Sequence, residues 1–417
     1  MSKSRKKMAP PPVAHPLLTP RQITDETTLK LLRDQRPFDH TIIALVQQLA
    51  QERRDHPRGA SRLLHGAFPD AVSDHLEQSI RGAILEAHTT IQRQLMEWLP
   101  EEYVRRIHVN TELRAPPESL NELLAIVYPT TKREADFRKS FEARRLLHLA
   151  MLLFRIRHGS HHADPQGESV FGKSMSVLPR VQELFQTQFL TRLPEDRTMY
   201  ANCTVMEGNP EGRCLDVSFT EKPEWQTMQL TVSGFRDTSG QREHDILTTY
   251  RVKTPFSIIL HMLRDNIPYP EWVMDIRGIR LVVWSHEARI ACFEALARHF
   301  PRLAWSTAGW NDRYSKTIQR ALNRFSGSYF RAMKLYAEID DGSGPWEFQI
   351  MHIRDYVNLW YSRGEENWYR YRLRQLLTLF FPLFFPTVLY QIPWSGDTIR
   401  SACHRHISKM KRGTIAQ

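Results

Sequence analysis

The chain has 417 residues, 41% of them hydrophobic and 25% charged, which excludes a fibrous or wholly disordered protein and leaves room for two or three domains of roughly 150 residues each. Its formal charge of +11 favours polyanionic partners such as nucleotides, RNA or an anionic surface, without choosing among them. Four widely spaced cysteines, Cys203, Cys214, Cys292 and Cys403, form no CxxC pair, so neither a zinc site nor a disulfide framework is expected and the cytoplasm is the expected compartment.

Residues 1–20 read as a disordered basic and Pro-rich tail without the apolar run of a signal peptide. Residues 21–195 read as a helical domain. Asp39 is placed to cap a helix through Arg53. A longer helix is expected from Ser73 to Leu99, where Pro100 ends it. Helical spacing returns over Ala135–His158, and a further helix is expected over Leu178–Leu193. His158, His161 and His162 sit in a Gly/Ser/Asp-rich stretch that reads as a solvated loop rather than a metal site.

Composition then changes. Cys203–Glu207, Cys214–Phe219, Thr227–Val232 and Asp245–Val252 read as strands of a meander leading a second domain, residues 196–375. Its centre is a strand expected over Trp272–Trp284, with Asp275 sharing a face with Val273, and a pair of strands, Lys334–Ile339 and Trp346–Ile350, around the turn Asp341-Gly342-Ser343-Gly344. Glu347 and Gln349 share one face of the last strand. Helices are expected over Ile353–Arg363 and Glu365–Leu379. Residues 376–417 hold a hydrophobic segment and a basic tail, His404–Arg412. The apolar run Leu376–Tyr390 contains Pro382 and Pro386 and falls short of the about twenty residues a membrane-spanning helix needs, so it is expected to be buried, with no membrane span.

Taken as bare strand-end charges, Asp275 and Glu347 read first as solvated residues, because charged side chains are mostly exposed. Two carboxylates on neighbouring strands with Arg and Lys nearby also suit a divalent metal and a triphosphate. Ahead of them, Arg251 and Lys253 alternate on one strand face. Ser257 and His261 lie four residues apart on one face of a helix that Pro255 begins. Cations at a strand end with a hydroxyl at a helix N-terminus make a phosphate cradle.

In order, the chain carries Arg-x-Lys-x-x-x-Ser (Arg251, Lys253, Ser257), Asp-x-x-Gly-x-Arg (Asp275, Gly278, Arg280), Asp312-Arg313-Tyr314-Ser315-Lys316, Phe330-Arg331-Ala332-Met333-Lys334 and Trp346-Glu347-Phe348-Gln349-Ile350. This succession, over about residues 245–375, resembles the synthetase domain of the RelA/SpoT family, the pyrophosphokinases of (p)ppGpp metabolism. The resemblance implies an α+β fold with a nucleotidyltransferase-like mixed β-sheet flanked by helices, preceded by a mainly helical N-terminal region. It implies ATP as donor and Mg2+ as cofactor. Asp275 and Glu347 become the catalytic, metal-binding carboxylates, with Glu347 a candidate base. Arg251, Lys253, Ser257, Arg280 and Lys316 become ATP-phosphate contacts, and Tyr314, Phe330, Lys334 and Gln349 acceptor contacts. The acceptor implied is a guanine nucleotide; a branch of toxic small synthetases instead modifies the 3′ end of tRNA, and a non-catalytic nucleotide- or RNA-binding relative is the third reading. Against the family pattern, His261 stands where Lys is usual, Lys334 replaces a His, Phe330 a Tyr and Met351 an Arg. No hydrolase-type His-Asp motif is visible in the helical half, which is left as a scaffold or a regulatory, antitoxin-like module with a possible regulatory protein partner.

Overall fold

The computed structural model describes residues 70–127, 134–158, 170–184, 191–205, 214–222, 228–237, 239–265, 267, 270–300, 311–312, 325, 331–338, 345–362 and 367–415. The expected helix from Asp39 to Arg53, the residues His161 and His162, the turn at 341–344, and three proposed site residues, Tyr314, Lys316 and Phe330, lie outside these.

Five helices come first: α1 (Asp70–Trp98), α2 (Glu101–Asn110), α3 (Leu120–Val127), α4 (Glu134–His158) and α5 (Val170–Leu184). Along α1, Ile80, Ala83, Ile84, Ala87, Leu95 and Trp98 are buried at the three- and four-residue spacing that makes one helical stripe. Helix α4 is buried all round from Ser140 to Ala150, as a central helix is. It also supplies polar partners to its neighbours. Ser140 Oγ (2.8 Å) and Arg144 Nη2 (2.9 Å) donate to Val127 O, a carbonyl that the end of α3 would otherwise orphan. Glu142 accepts from the backbone N–H groups of Glu112 (3.0 Å) and Leu113 (2.7 Å) and from the Tyr390 hydroxyl (2.6 Å).

The rest is built around one eight-stranded sheet of mixed type, in the order β2-β1-β3-β4-β5-β8-β7-β6. Its strands are β1 (Thr191–Val205), β2 (Cys214–Thr220), β3 (Met228–Arg236), β4 (Glu243–Val252), β5 (Arg277–Val283), β6 (Asn311–Asp312), β7 (Met333–Glu338) and β8 (Pro345–His352). All neighbours are antiparallel except β5 and β8. Helix α6 (Pro255–Asp265) follows β4, α7 (His286–His299) follows β5, and α8 (Ile353–Tyr361) follows β8. Beyond them come α9 (Trp368–Gln375), a π-helical turn (Leu376–Phe380), α10 (Phe381–Phe384), α11 (Thr387–Tyr390) and α12 (Asp397–Ile415). The architecture is therefore mixed α+β.

Four expectations are corrected. The helix expected over Leu178–Leu193 does not extend to Leu193, because Thr191 already opens β1; Pro194 is accommodated because the β1–β3 register shifts between Arg192 and Asp196, the kind of irregularity where a strand tolerates proline. The first strands are not a meander, since β1 lies between β2 and β3. The basic stretch His404–Arg412 belongs to α12 rather than a tail, because Ile399, Cys403 and Ile407, at helical spacing, enter the core. The strand expected from Trp272 begins only at Arg277: Pro270–Trp272 form a 3₁₀ turn, and Asp275 sits in the turn after it.

One sheet face packs Ile279, Leu281, Val283, Phe348 and Ile350 against Ala288, Ala291, Cys292 and Leu296 of α7 and Val181 of α5. The opposite face is divided. Leu247, Val282 and Met351 join Ile353, Tyr356 and Val357 of α8 in an apolar cluster. At the other end of the same strands the face is polar, and α6 and α9 stand beside it. Both helices also enter the helical core, through Ile258, Ile259, Leu260 and Met262 on α6 and Leu373 on α9. That core takes in the apolar run as well: Leu376, Phe380, Phe381 and Tyr390 are fully buried. Among the described residues no helix is long and apolar enough to cross a membrane.

Candidate functional site

Sheet register builds the site. Arg251 pairs with Gly278, Gly278 with Glu347, and Glu347 with Tyr336, so these four share one row and one face across β4, β5, β8 and β7. The next row on that face is Thr249, Arg280, Gln349 and Lys334. Glycine is required at 278 by close approach: a Cβ there would lie 2.9 Å from Arg251 Nε. Its absence lets the Arg251 side chain cross β5.

Arg251 thereby reaches Glu347, donating from Nη2 to Oε2 at 2.5 Å. Gln349 Nε2 donates to the same oxygen at 2.7 Å. Lys334 Nζ (2.7 Å) and the Tyr336 hydroxyl (3.3 Å) donate to Oε1. Glu347 is fully buried, contrary to the solvated reading, and four donors satisfy it. Burial alone would push its carboxyl up; Lys334 and Arg251 outweigh that and hold it at about 2. Gln349 Oε1 in turn accepts from Arg280 Nε and Nη2, both at 3.1 Å. Arg280 also lies over the Tyr356 ring, 5.7 Å from its centre, and is pushed down to about 10 by burial and by Arg251.

Asp275 reaches the site from the turn before β5. The Lys253 N–H bonds Ile276 O at 2.8 Å, tying the end of β4 to that turn. Lys253 Nζ pairs with Asp275 Oδ1, and His261 Nδ1 lies 2.6 Å from the same oxygen. Burial opposes ionisation of Asp275, but Lys253 and His261 hold its carboxyl well below the usual range. Lys253 is itself pushed down to about 8, by burial first, against the pull of Asp275. On α6, His261 Nε2 lies 2.8 Å from Asp265 Oδ2 and 2.7 Å from Arg264 Nη2. Arg264 forms a two-point pair with Asp265 (2.7 and 2.5 Å) and donates to the Tyr371 hydroxyl at 3.1 Å. Ser257 Oγ accepts from Thr254 Oγ1 at 3.0 Å and from Arg372 Nη2 at 2.7 Å.

The fold thus brings together Arg251, Lys253, Ser257, Asp275, Arg280, Lys334, Glu347 and Gln349 from the sequence-derived set. The sequence reading missed Arg264 and Arg372, whose only signal was their place on helices facing the Arg251–Asp275 segment. The linked side chains comprise six cations (Arg251, Lys253, Arg264, Arg280, Lys334, Arg372) and three carboxylates (Asp265, Asp275, Glu347). That excess of positive charge on a partly enclosed sheet face suits a polyanion.

A magnesium ion needs near-octahedral oxygen ligands, commonly one or two carboxylates with phosphate oxygens and water. Asp275 fits in charge, since Lys253 and His261 hold it ionised. Glu347 does not, because both of its oxygens are taken by donors. Its low pKa also makes it a weak base. No group of three His, Cys, Asp or Glu that would hold a metal alone occurs among the described residues. No protein-family model matches the chain, and no curated protein matches it.

Proposed function

We propose that this protein is a RelA/SpoT-like pyrophosphokinase, built on a nucleotidyltransferase-like sheet, that transfers the β,γ-pyrophosphate of ATP to a ribose hydroxyl of a guanine nucleotide. The observation that carries this reading is the row Arg251–Gly278–Glu347 with Lys253 and Asp275 beside it: motif residues far apart in sequence converge on one sheet face with cations in excess. In the reaction the acceptor oxygen forms a bond to the β-phosphorus, the bond from that phosphorus to the α,β-bridging oxygen breaks, AMP leaves, and the hydroxyl proton passes to solvent or a base. Little covalent work falls to the protein; positioning and charge stabilisation dominate.

Arg251 and Lys334, splayed from Glu347, and Arg280, held by Gln349, present guanidinium and ammonium groups to the phosphate oxygens. Lys253 stabilises charge on the transferring group. Asp275 would hold a magnesium ion, which would supply neutralisation of phosphate charge. Glu347 organises the cations around it. A tRNA 3′ end is the second acceptor reading, in keeping with the formal charge of +11.

The test incubates purified protein with terminally labelled ATP, magnesium, and GDP, GTP or deacylated tRNA. Label on the guanine nucleotide, abolished by Asp275→Asn, is the expected result. Label on tRNA alone selects the second acceptor. Label on none, with ATP still bound, leaves a nucleotide-binding relative without catalysis.

A further inference from the structure

Arg372, on α9, is a half-buried guanidinium whose partners are all neutral. It donates to Ser257 Oγ at 2.7 Å and, at 3.5 Å, to Gln375 Oε1, and its Cζ lies 5.5 Å from the centre of the Trp368 ring. No carboxylate lies within ion-pair distance of it among the described residues. By contrast Arg251, Lys253, Arg264 and Lys334 each have one. Burial lowers its pKa; Tyr371 and Glu97 oppose that without reversing it, and Arg251 adds to the lowering. A guanidinium whose hydrogen-bond partners are neutral is stabilised by an anion that its remaining N–H donors can bind directly.

Ser257 sharpens what that anion meets. A hydroxyl has two acceptor positions and one hydrogen. Thr254 Oγ1 and Arg372 Nη2 fill the acceptor positions, which leaves the Ser257 O–H to donate. Arg372 likewise keeps N–H donors beyond those used on Ser257 and Gln375. The two side chains therefore offer adjacent donors from α6 and α9.

We infer that Arg372 is a substrate-binding residue for the polyphosphate chain of a nucleoside triphosphate, shared with Arg251, and that Ser257 is both its positioning residue and a second donor to the same phosphate. This rests on the reading of the sheet face as a phosphate site, in which Ser257 is already a phosphate contact; Arg372 lies outside the motifs that suggested that reading. It also gives Ser257 a reason to be a hydroxyl residue: an alanine would leave Arg372 unheld.

The experiment is calorimetric binding of ATP and of inorganic tripolyphosphate, each with magnesium, to the full chain and its variants, with melting temperature as the check on folding. Arg372→Gln is expected to weaken both ligands about tenfold, the loss of one charge-assisted contact. Arg372→Lys should recover part of this. Ser257→Ala is expected to weaken them by about threefold, and Ser257→Thr to restore binding, which a purely structural role of Arg372 would not produce. Arg105→Gln, at an exposed cation paired with Glu101, should bind as the unsubstituted chain does. If Arg372→Gln fails to fold, the serine pair carries the test. Unchanged binding by Arg372→Gln or by Ser257→Ala, with Arg251→Gln impaired, overturns this inference and leaves the phosphate-site reading standing. An unsubstituted chain that binds neither ligand overturns both.

Discussion

Glu347 has no exposed surface, yet it carries a full charge because Arg251, Lys334, Gln349 and Tyr336 all donate to it. Removing one member of such a set leaves buried charge uncompensated. Glu347→Ala should therefore cost on the order of 3–5 kcal/mol, read as a large fall in denaturation midpoint; Glu347→Gln, which keeps the shape and one acceptor, should cost clearly less. The carboxyl is held at about 2, below its unfolded value, so it contributes stability that is complete above roughly pH 4.5 and disappears as pH falls toward 2. Denaturation midpoints for Glu347→Gln should accordingly depend less on pH in that window than those of the unsubstituted chain. Lys253 behaves in the opposite sense. With its ammonium pushed down to about 8, it loses charge as pH rises through 8, and a bound phosphate favours the charged form. ATP binding should weaken between pH 7 and 9 and take up protons near pH 8, measured by repeating the calorimetry in buffers of different ionisation enthalpy. An affinity that is flat with pH and equal in Lys253→Met would remove Lys253 from the site.

Among the elements, β5 carries most of the design. It lies between β4 and β8, has apolar residues on one face, and on the other keeps a glycine where a neighbour's side chain must pass. Gly278→Ala puts a Cβ 2.9 Å from Arg251 Nε and 3.4 Å from Glu347 O. The flexible Arg251 side chain should give way before the backbone does. The expected outcome is an approximately tenfold loss of ATP affinity with a melting temperature lowered by only a few degrees. Much of this was legible beforehand: alternation located β4, β7 and β8 to within a few residues, and it put Glu347 and Gln349 on one face. The start of β5 was misplaced because Trp272-Val273-Met274 is as apolar as a strand, while the 3₁₀ turn from Pro270 determines the backbone there. The same limit applied at Leu184–Thr191, where apolar spacing continues from helix into strand and only pairing with β3 separates the two.

On the scale of the whole molecule, the first helices and the last share one core. Ile84 and Leu95 of α1 pack in the same cluster as Phe381, Ile399 and Cys403, and Tyr390 reaches 248 residues back to Glu142. Truncation after Gly396 should therefore destabilise the N-terminal helices, seen as lost helical circular dichroism and exposure of apolar surface to a dye, rather than trimming a tail. Tyr390→Phe should cost about 1–3 kcal/mol, since Glu142 would lose a buried partner.

By itself the sequence determined the apolar periods, the proline stops and the order of the charged motifs, because each is a property of residues close together along the chain. It could not decide that β1 inserts between β2 and β3, that α12 completes the core of α1, or that Arg372 meets Ser257. Those are contacts between segments far apart in sequence, and burial energy summed over the whole molecule selects them. The tertiary structure also turned Asp275 and Glu347 from expected surface charges into enclosed carboxylates, since only packing could surround each with cations.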